Sequence, residues 1–441
     1  EASNGYVIAD WYKGNKLVLK YYTLSGNQIS LAYQYEVPYH DVLKQEWETY
    51  AAIQGDSMTV RIRPEYDSVS GLKRKLFGEN YRKEFAASVT LPVIRLSQLH
   101  GGLTPQKRGG GMQTISLRLE DAKGREWVLR NLEKNPDPLL PEELRGTFAR
   151  DFLDDYMSAQ NPFAPLVVPV LATAAEVPHA NPIIGIVAPD TLLGKYQRLF
   201  AGRVALLEER EPAGKSDNTP AMMQKVLADN DNTVDTRTFL RARLLDLLIS
   251  DWDRHPDQWR WADTRKGKEK HYVPVPRDRD QALYIREGIL PQIASRSWVL
   301  PTLQGFGSRI PKVKYSLIKS SFISPLMADQ WNYEDWMNIT QQFVTAMSDS
   351  VIEKAFHQLP AAAFNLRGEK LIREMKERRD QIPAAMEEYY RFTSRIVDIR
   401  GTQKNEFVRI TGTDNGGLRI TARKINEEGE LKDQLMDRHF D

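Results

Sequence analysis

The chain has 441 residues, 41% hydrophobic and 27% charged, which fits a folded protein of two or three domains with a sizeable core. A formal net charge of +2 leaves no electrostatic footprint for nucleic acid, and the absence of cysteine excludes disulfides and cysteine-based zinc sites. No apolar run reaches the ~18 residues a membrane-spanning helix needs, and the apolar stretch 164–175 is interrupted by two prolines.

Residues 1–36 read as a β-strand module. Tyr6–Ala9, Leu17–Tyr22 and Ile29–Tyr33 are separated by Lys13-Gly14-Asn15 and Ser25-Gly26-Asn27, turn signals of the Gly/Asn kind. Residues 37–100 read as a connecting region. Within it, Ser68–Lys83 carries five basic residues beside Leu72, Leu76, Phe77 and Tyr81, the pattern of a solvated amphipathic turn or an anionic surface contact.

Residues 101–210 have the pattern of a β-rich lobe. Gly109, Gly110 and Gly111 follow Lys107-Arg108, and consecutive glycines let backbone N–H groups approach phosphate oxygens. Thr114–Leu119 alternates polar and apolar residues, Ala122-Lys123-Gly124 turns the chain, and Trp127–Arg130 returns it. Arg130 and Lys134 are the cations on or just after that strand. Lys134 is the preferred phosphate contact, because lysine is a compact point charge. Its acidic partner belongs on the helix that Pro141-Glu142-Glu143 begins. There Leu144, Phe148, Phe152 and Tyr156 predict a buried stripe, and Asp151 or Asp155, with Asp155 preferred, faces the lysine. Residues 164–200 alternate apolar runs with proline. Val204–Arg210 is a strand, and 211–220 a loop.

Residues 211–400 read as a helical lobe. Thr238–Ile249 is a leucine-rich helix delivering Asp251-Trp252-Asp253-Arg254-His255. Gln258–Ala262 and His271–Val275 form a hairpin around Thr264–Lys270, and a second acidic cluster follows at Arg277-Asp278-Arg279-Asp280. The three tryptophans Trp252, Trp259 and Trp261 read as packing residues. Residues 283–325 are irregular, and helices dominate from Ala328. Lys370–Arg379 reads as an exposed charged face, and Pro383 as a kink or break. Residues 401–441 form a β-hairpin module around Asp414-Asn415-Gly416-Gly417.

Two acid-bearing loops flanking a hairpin resemble the catalytic and metal-binding loops of protein kinases, in the Asp-Arg-His order of lipid and secretory-pathway kinases. Asp253 is followed five positions later by Gln258, where kinases place a metal-binding asparagine, and Asp280 follows the hairpin. Gln258 departs from Asn, and Asp280-Gln281-Ala282 departs from Asp-Phe-Gly. The resemblance implies an α+β, bilobal protein-kinase-like core, with a β-rich small lobe and a helical large lobe, flanked by short β-strand modules. It implies that Asp253 orients or deprotonates an acceptor hydroxyl. Gln258, Asp278 and Asp280 would hold magnesium or manganese. Gly109–Gly111 and Lys134, paired with Asp155, would contact ATP phosphates, and the backbone at Leu207 and Glu208 would meet adenine.

GENYR (78–82), GGGMQTISLRLED (109–121), FLRARLLDLLISDWDRHPDQWRW (239–261), PVPRDRDQA (274–282) and KERRDQIPAAMEEYYRF (376–392) resemble a Bacteroidetes family. In that family this segment follows a metallophosphoesterase domain and precedes an outer-membrane barrel. Residues 1–36 are similar to the closing strands of such phosphoesterases, without their metal-ligand motifs. The resemblance implies the middle of a longer polypeptide in the cell envelope, periplasmic or outer-membrane-associated, with a protein partner there. Because the periplasm is generally taken to lack ATP, two functions stand side by side: an ATP-dependent phosphotransferase, and a degenerate kinase-like scaffold.

Overall fold

A computed structural model describes residues 5–12, 16–25, 28–37, 53–109, 114–265, 267–296, 298–320, 331–396, 398–414 and 416–440. The chain divides into two compact units, residues 1–56 and 57–441. In the first, β1 (Gly5–Tyr12), β2 (Lys16–Ser25) and β3 (Gln28–Val37) pair antiparallel in sequence order, as the turn signals predict. Val7, Ile29, Leu31 and Tyr33 are exposed on this sheet.

The second unit combines a β-rich layer with a helical one. Its larger sheet has the order β4-β5-β9-β10-β8-β7-β6. The strands are β4 (Ser57–Val60), β5 (Val89–Ile94), β6 (Thr104–Gly109), β7 (Ser116–Glu120), β8 (Glu126–Asn131), β9 (Ile183–Val187) and β10 (Val204–Glu209). β5 and β9 run parallel, and the other neighbours antiparallel. The stretch expected only to connect therefore supplies two strands. Pro92 inside β5 hides the strand signal, and the structure accommodates it where β5 pairs with the first residue of edge strand β4.

The β7–β8 hairpin turns on Asp121, whose side chain accepts the Lys123 and Arg125 backbone N–H groups, both at 2.9 Å. Gly124 takes the left-handed conformation this turn requires, at φ +76°.

Short helices α1 (Gly71–Phe77) and α2 (Arg82–Ala86) precede β5, and α3 (Phe148–Met157) and α4 (Ala164–Ala174) precede β9. α3 starts later than expected, because Glu142–Leu144 is a separate 3-10 turn. Leu144 and Phe152 are exposed, so the predicted stripe is only partly buried. α4 forms from the proline-interrupted run: Pro165 sits in the first turn, where its missing N–H costs nothing. Val167, Val168 and Leu171 bury it.

After α5 (Gln197–Phe200), β11 (Ser216–Asn218) and α6 (Thr219–Ala228), the helical layer is organised around α7 (Thr236–Ile249). The Asp235 carboxylate caps α7 by accepting the Thr238 N–H at 2.8 Å. Phe239, Leu240, Leu244, Leu245, Leu247, Leu248 and Ile249 are buried on all its sides, which places it at the centre of the core. It stops at Ser250, which turns left-handed at φ 59°, and the Asp251 N–H closes back on the Asp246 carbonyl at 2.8 Å. β12 (Thr233–Val234), β13 (Trp259–Asp263) and β14 (His271–Pro276) join β11 in a smaller sheet of order β11-β13-β14-β12. Trp259 and Trp261 are fully buried packing residues, as expected.

α8 (Ile289–Ala294) and α9 (Val313–Leu317) lie in the irregular stretch, followed by α10 (Tyr333–Ala346), α11 (Asp349–Phe356) and α12 (Ala361–Thr393). α12 runs 33 residues through Pro383, where a kink or break was expected; the helix does not break there. Ile382 and Met386, buried on either side of the proline, hold both turns against the core. Arg378, on the face expected to be exposed, is buried. Its guanidinium donates to the carbonyls of Leu247 (2.7 Å), Leu248 (2.9 Å), Arg309 (2.8 Å) and Gly307 (3.2 Å).

The C-terminal module has a third strand beyond the expected hairpin: β15 (Glu406–Gly412), β16 (Leu418–Ile425) and β17 (Leu431–Phe440). The module docks on the helical layer through Gln403 N–H to the Leu227 carbonyl at 2.8 Å and an ion pair between Lys424 and Asp231.

Candidate functional site

A cleft of about 440 Å³ opens between the larger sheet and the loops at the end of α7 and β14. Alternation along the strands sets its sheet wall. On β8, Trp127 and Leu129 face the core, while Val128 and Arg130 line the cleft. On β10, Leu206 and Glu208 line it, and Leu207 turns away, fully buried. Gly109 ends β6 at the rim; Gly110 and Gly111 lie outside the described residues.

The opposite wall is the Arg277–Asp280 segment with Asp257 and Gln258. Here arginines and aspartates alternate along a loop. Arg279 points into the core and meets Asp246 of α7 at 2.6 Å; Asp246 also accepts from Arg243 at 2.6 Å. Asp278 and Asp280 are thereby presented to the cleft. Asp280 pairs with Lys134 at 2.5 Å, and Asp278 pairs with Arg130. Asp278 itself sits at φ 52°, an uncommon conformation for a residue with a side chain. Its carbonyl accepts from Arg254 at 2.8 Å, and Arg254 pairs with Asp251 at 3.1 Å, both side chains buried.

Burial and ion pairing oppose each other across the site. Burial works against the Arg130 charge, but Asp278, Glu208 and Asp280 outweigh it and raise its pKa. Burial also works against ionised Asp278, yet Arg130 and Lys134 hold its carboxyl below the usual range. For Glu208 burial wins, and its pKa is raised despite Arg130. Burial pushes Asp251 up to about 6 against the pull of Arg254, with Asp246 adding to the rise.

The cleft thus collects Gly109, Lys134, Glu208, Gln258, Asp278 and Asp280, together with Arg130, which the sequence reading set second to Lys134. It does not collect the others. Asp155 is not the partner of Lys134. It is buried against Arg82 at 2.7 Å and Lys73 at 3.1 Å, and so serves as a structural counter-charge for the 78–82 segment. The Leu207 backbone pairs with Ile183 on one side and Leu129 on the other, so it is committed to the sheet. The pairing toward β9 ends there, and the first strand edge free of that neighbour is at Glu208 and Glu209. Asp253 sits on the loop after α7, paired with Lys319 at 2.5 Å, and does not line the cleft. Lys319 lies over the Trp252 ring at 4.3 Å. Gln258 donates its side-chain amide N–H toward His255 Nε2 at 3.3 Å, and its backbone carbonyl accepts from the Arg277 N–H at 2.9 Å.

The buried network of Asp246, Asp251, Arg254 and Arg279 was missed. Its signal was present: one acid inside an otherwise leucine-rich helical run, and arginines alternating with acids after a strand.

The protein is an α+β chain whose larger unit sets a β-rich layer against a helical one. No family model and no curated protein matches the sequence. Among solved structures, the crystal structure of a Helicobacter pylori proinflammatory kinase, CtkA, is similar at 13% identity, covering 68% of this chain and 99% of that one, with a TM-score of 0.39.

Proposed function

We propose that the cleft is a kinase-like site for a metal-chelated nucleotide and that the chain transfers a phosphoryl group to a hydroxyl acceptor. The observation that carries this reading is the meeting, in one cleft, of two cations, one on β8 and one just beyond it, with two loop-borne carboxylates: Arg130 with Asp278, and Lys134 with Asp280. Phosphoryl transfer needs that composition, cations for phosphate oxygens and carboxylates for a divalent metal. Asp278, Asp280 and the Gln258 amide are oxygen donors of the kind magnesium and manganese take. Among the described residues no cluster of three His, Asp or Glu could hold a metal by itself. These residues would therefore supply part of a coordination shell and phosphate oxygens the rest, which is usual for magnesium. When bound, the metal would neutralise phosphate charge.

In this reading Arg130 and Lys134 hold the phosphates from the sheet side. Glu208 and Glu209 offer backbone groups to the base. Asp253 orients the acceptor hydroxyl and takes its proton. The cell-envelope setting belongs to the same proposal and is testable by fractionation. The ion pair between Asp253 and Lys319, outside the cleft lining, favours a second reading, in which nucleotide binds without transfer and the domain serves as an envelope scaffold.

Thermal unfolding with and without ATP plus magnesium or manganese tests the first reading. A ligand at about 100 times its Kd stabilises by ~2.7 kcal/mol. Wild type should gain several degrees, and Asp280→Ala should lose that gain. Asp253→Ala should keep the gain while losing turnover. A metal-dependent shift without turnover in wild type selects the scaffold reading. No shift with either metal sinks both.

A further inference from the structure

Residues 288–328 contain no Asp or Glu but five basic residues, Arg296, Arg309, Lys312, Lys314 and Lys319, in a chain whose net charge is only +2. The fold gathers part of this charge. Arg286, Arg296 and Lys312 line one surface hollow with Gln292, Ser295, Gln304 and Tyr315, and among the described residues no carboxylate lines it. Elsewhere the cations are characteristically neutralised: Arg367 has Glu84 and Glu287, and Arg379 has Asp349 and Asp380. Burial lowers the pKa of Arg286, as it does for a cation with no nearby acid to offset desolvation.

The same segment leaves apolar side chains in water. Ile289 and Ile293, one turn apart on α8, are exposed, with Leu290 beside them, while Gln292, Ser295 and Arg296 turn toward the hollow. Just after α8, Trp298 is 77% exposed and Leu300 54%. Hydrogen bonds from Val299 N–H to the Arg296 carbonyl and from Leu300 N–H to the Ala294 carbonyl, both 2.9 Å, fold this tip back on α8. An acid-free cationic hollow beside exposed Trp, Leu and Ile is the pairing that anionic lipid interfaces select: headgroup phosphates meet the cations while apolar side chains enter the acyl boundary.

We propose that this face, α8 with Ser295, Arg296, Trp298, Leu300 and Lys312, docks on the surface of an anionic lipid bilayer. Charge complementarity selects that occupant over a neutral apolar partner. Among the described residues no helix is long and apolar enough to cross a membrane. The proposal does not depend on the cleft, and the variants below leave the cleft intact.

The experiment is co-sedimentation of the full chain with vesicles of phosphatidylcholine alone or mixed with phosphatidylglycerol. Wild type should sediment with the mixed vesicles and not with the neutral ones, and binding should fall as salt rises. Arg296→Glu combined with Lys312→Glu, and separately Trp298→Ser, should each weaken binding about tenfold or more, by loss of charge in one case and of apolar contact in the other. Lys123→Glu, a charge change on the β7–β8 turn, should bind as wild type and so controls for net charge. Failure to bind mixed vesicles overturns the proposal, as does equal binding to both vesicle types or binding of inorganic phosphate alone.

Discussion

Arg130 and Lys134 show how one residue's assignment depends on strand register. Alternation on β8 sends Arg130 into the cleft, and Lys134 arrives from beyond the strand, so both cations find acids rather than one. The sequence reading preferred Lys134, as a compact point charge, because the strand's end was not marked. Under the proposed function, Arg130→Ala should weaken nucleotide binding about 10- to 100-fold, the scale of one charge-assisted hydrogen bond. Arg130→Lys should recover part of that loss, as titration calorimetry would report. Asp121 gives a cleaner electrostatic test. Burial opposes its charge, but the N–H groups of Arg125, Trp127 and Lys123 and the Arg125 guanidinium prevail, holding the carboxyl down at about 2. A depressed folded pKa contributes stability above the unfolded value and loses it as pH falls through the folded one. Asp121→Asn should therefore melt lower than wild type at neutral pH, with the gap closing between about pH 4 and pH 2.

At the scale of elements, legibility followed pattern strength. The leucine-rich α7 and the β13–β14 hairpin were readable, because period and turn chemistry agreed there. β5 and α4 were not, since a proline inside each argues for a loop when considered alone and only packing overrules it. β17 was lost because its sequence, LKDQLMDRHF, is too charged to show alternation. Arg378 was misread for a related reason: arginine on a charged helix looks solvated, and only the neighbouring helix end shows what it binds. With burial pulling its pKa down to about 9, Arg378 ties α12 to the last carbonyls of α7. Arg378→Met keeps the bulk and removes the donors. It should destabilise by about 2–3 kcal/mol, the cost of unsatisfied buried carbonyls less the relief of burying no charge. Urea unfolding would measure this, and an unchanged midpoint would show that the clamp contributes nothing.

For the whole molecule, the division after Asp56 and the docking of the C-terminal sheet make opposite predictions. A chain starting at Ser57 should melt within a few degrees of the full chain. A chain ending at Arg400 should melt distinctly lower, because it loses the contacts of β15–β17 with residues 227–231. Differential scanning calorimetry of the two truncations decides between them. The two acidic loops around a hairpin were legible, but the sequence reading centred on Asp253, whereas Asp278 and Asp280 are the acids of the two loops that line the cleft beside Arg130 and Lys134.

The pairing of Lys134 with Asp280 and of Arg130 with Asp278 has a thermodynamic consequence. A phosphate that drew Lys134 and Arg130 to itself would strand two carboxylates; a metal that drew Asp278 and Asp280 would strand two cations. Only both together leave every charge satisfied. Under the proposed function, the metal and the nucleotide must each raise the other's affinity, by the same factor in both directions, and that reciprocal cooperativity is set by four side chains.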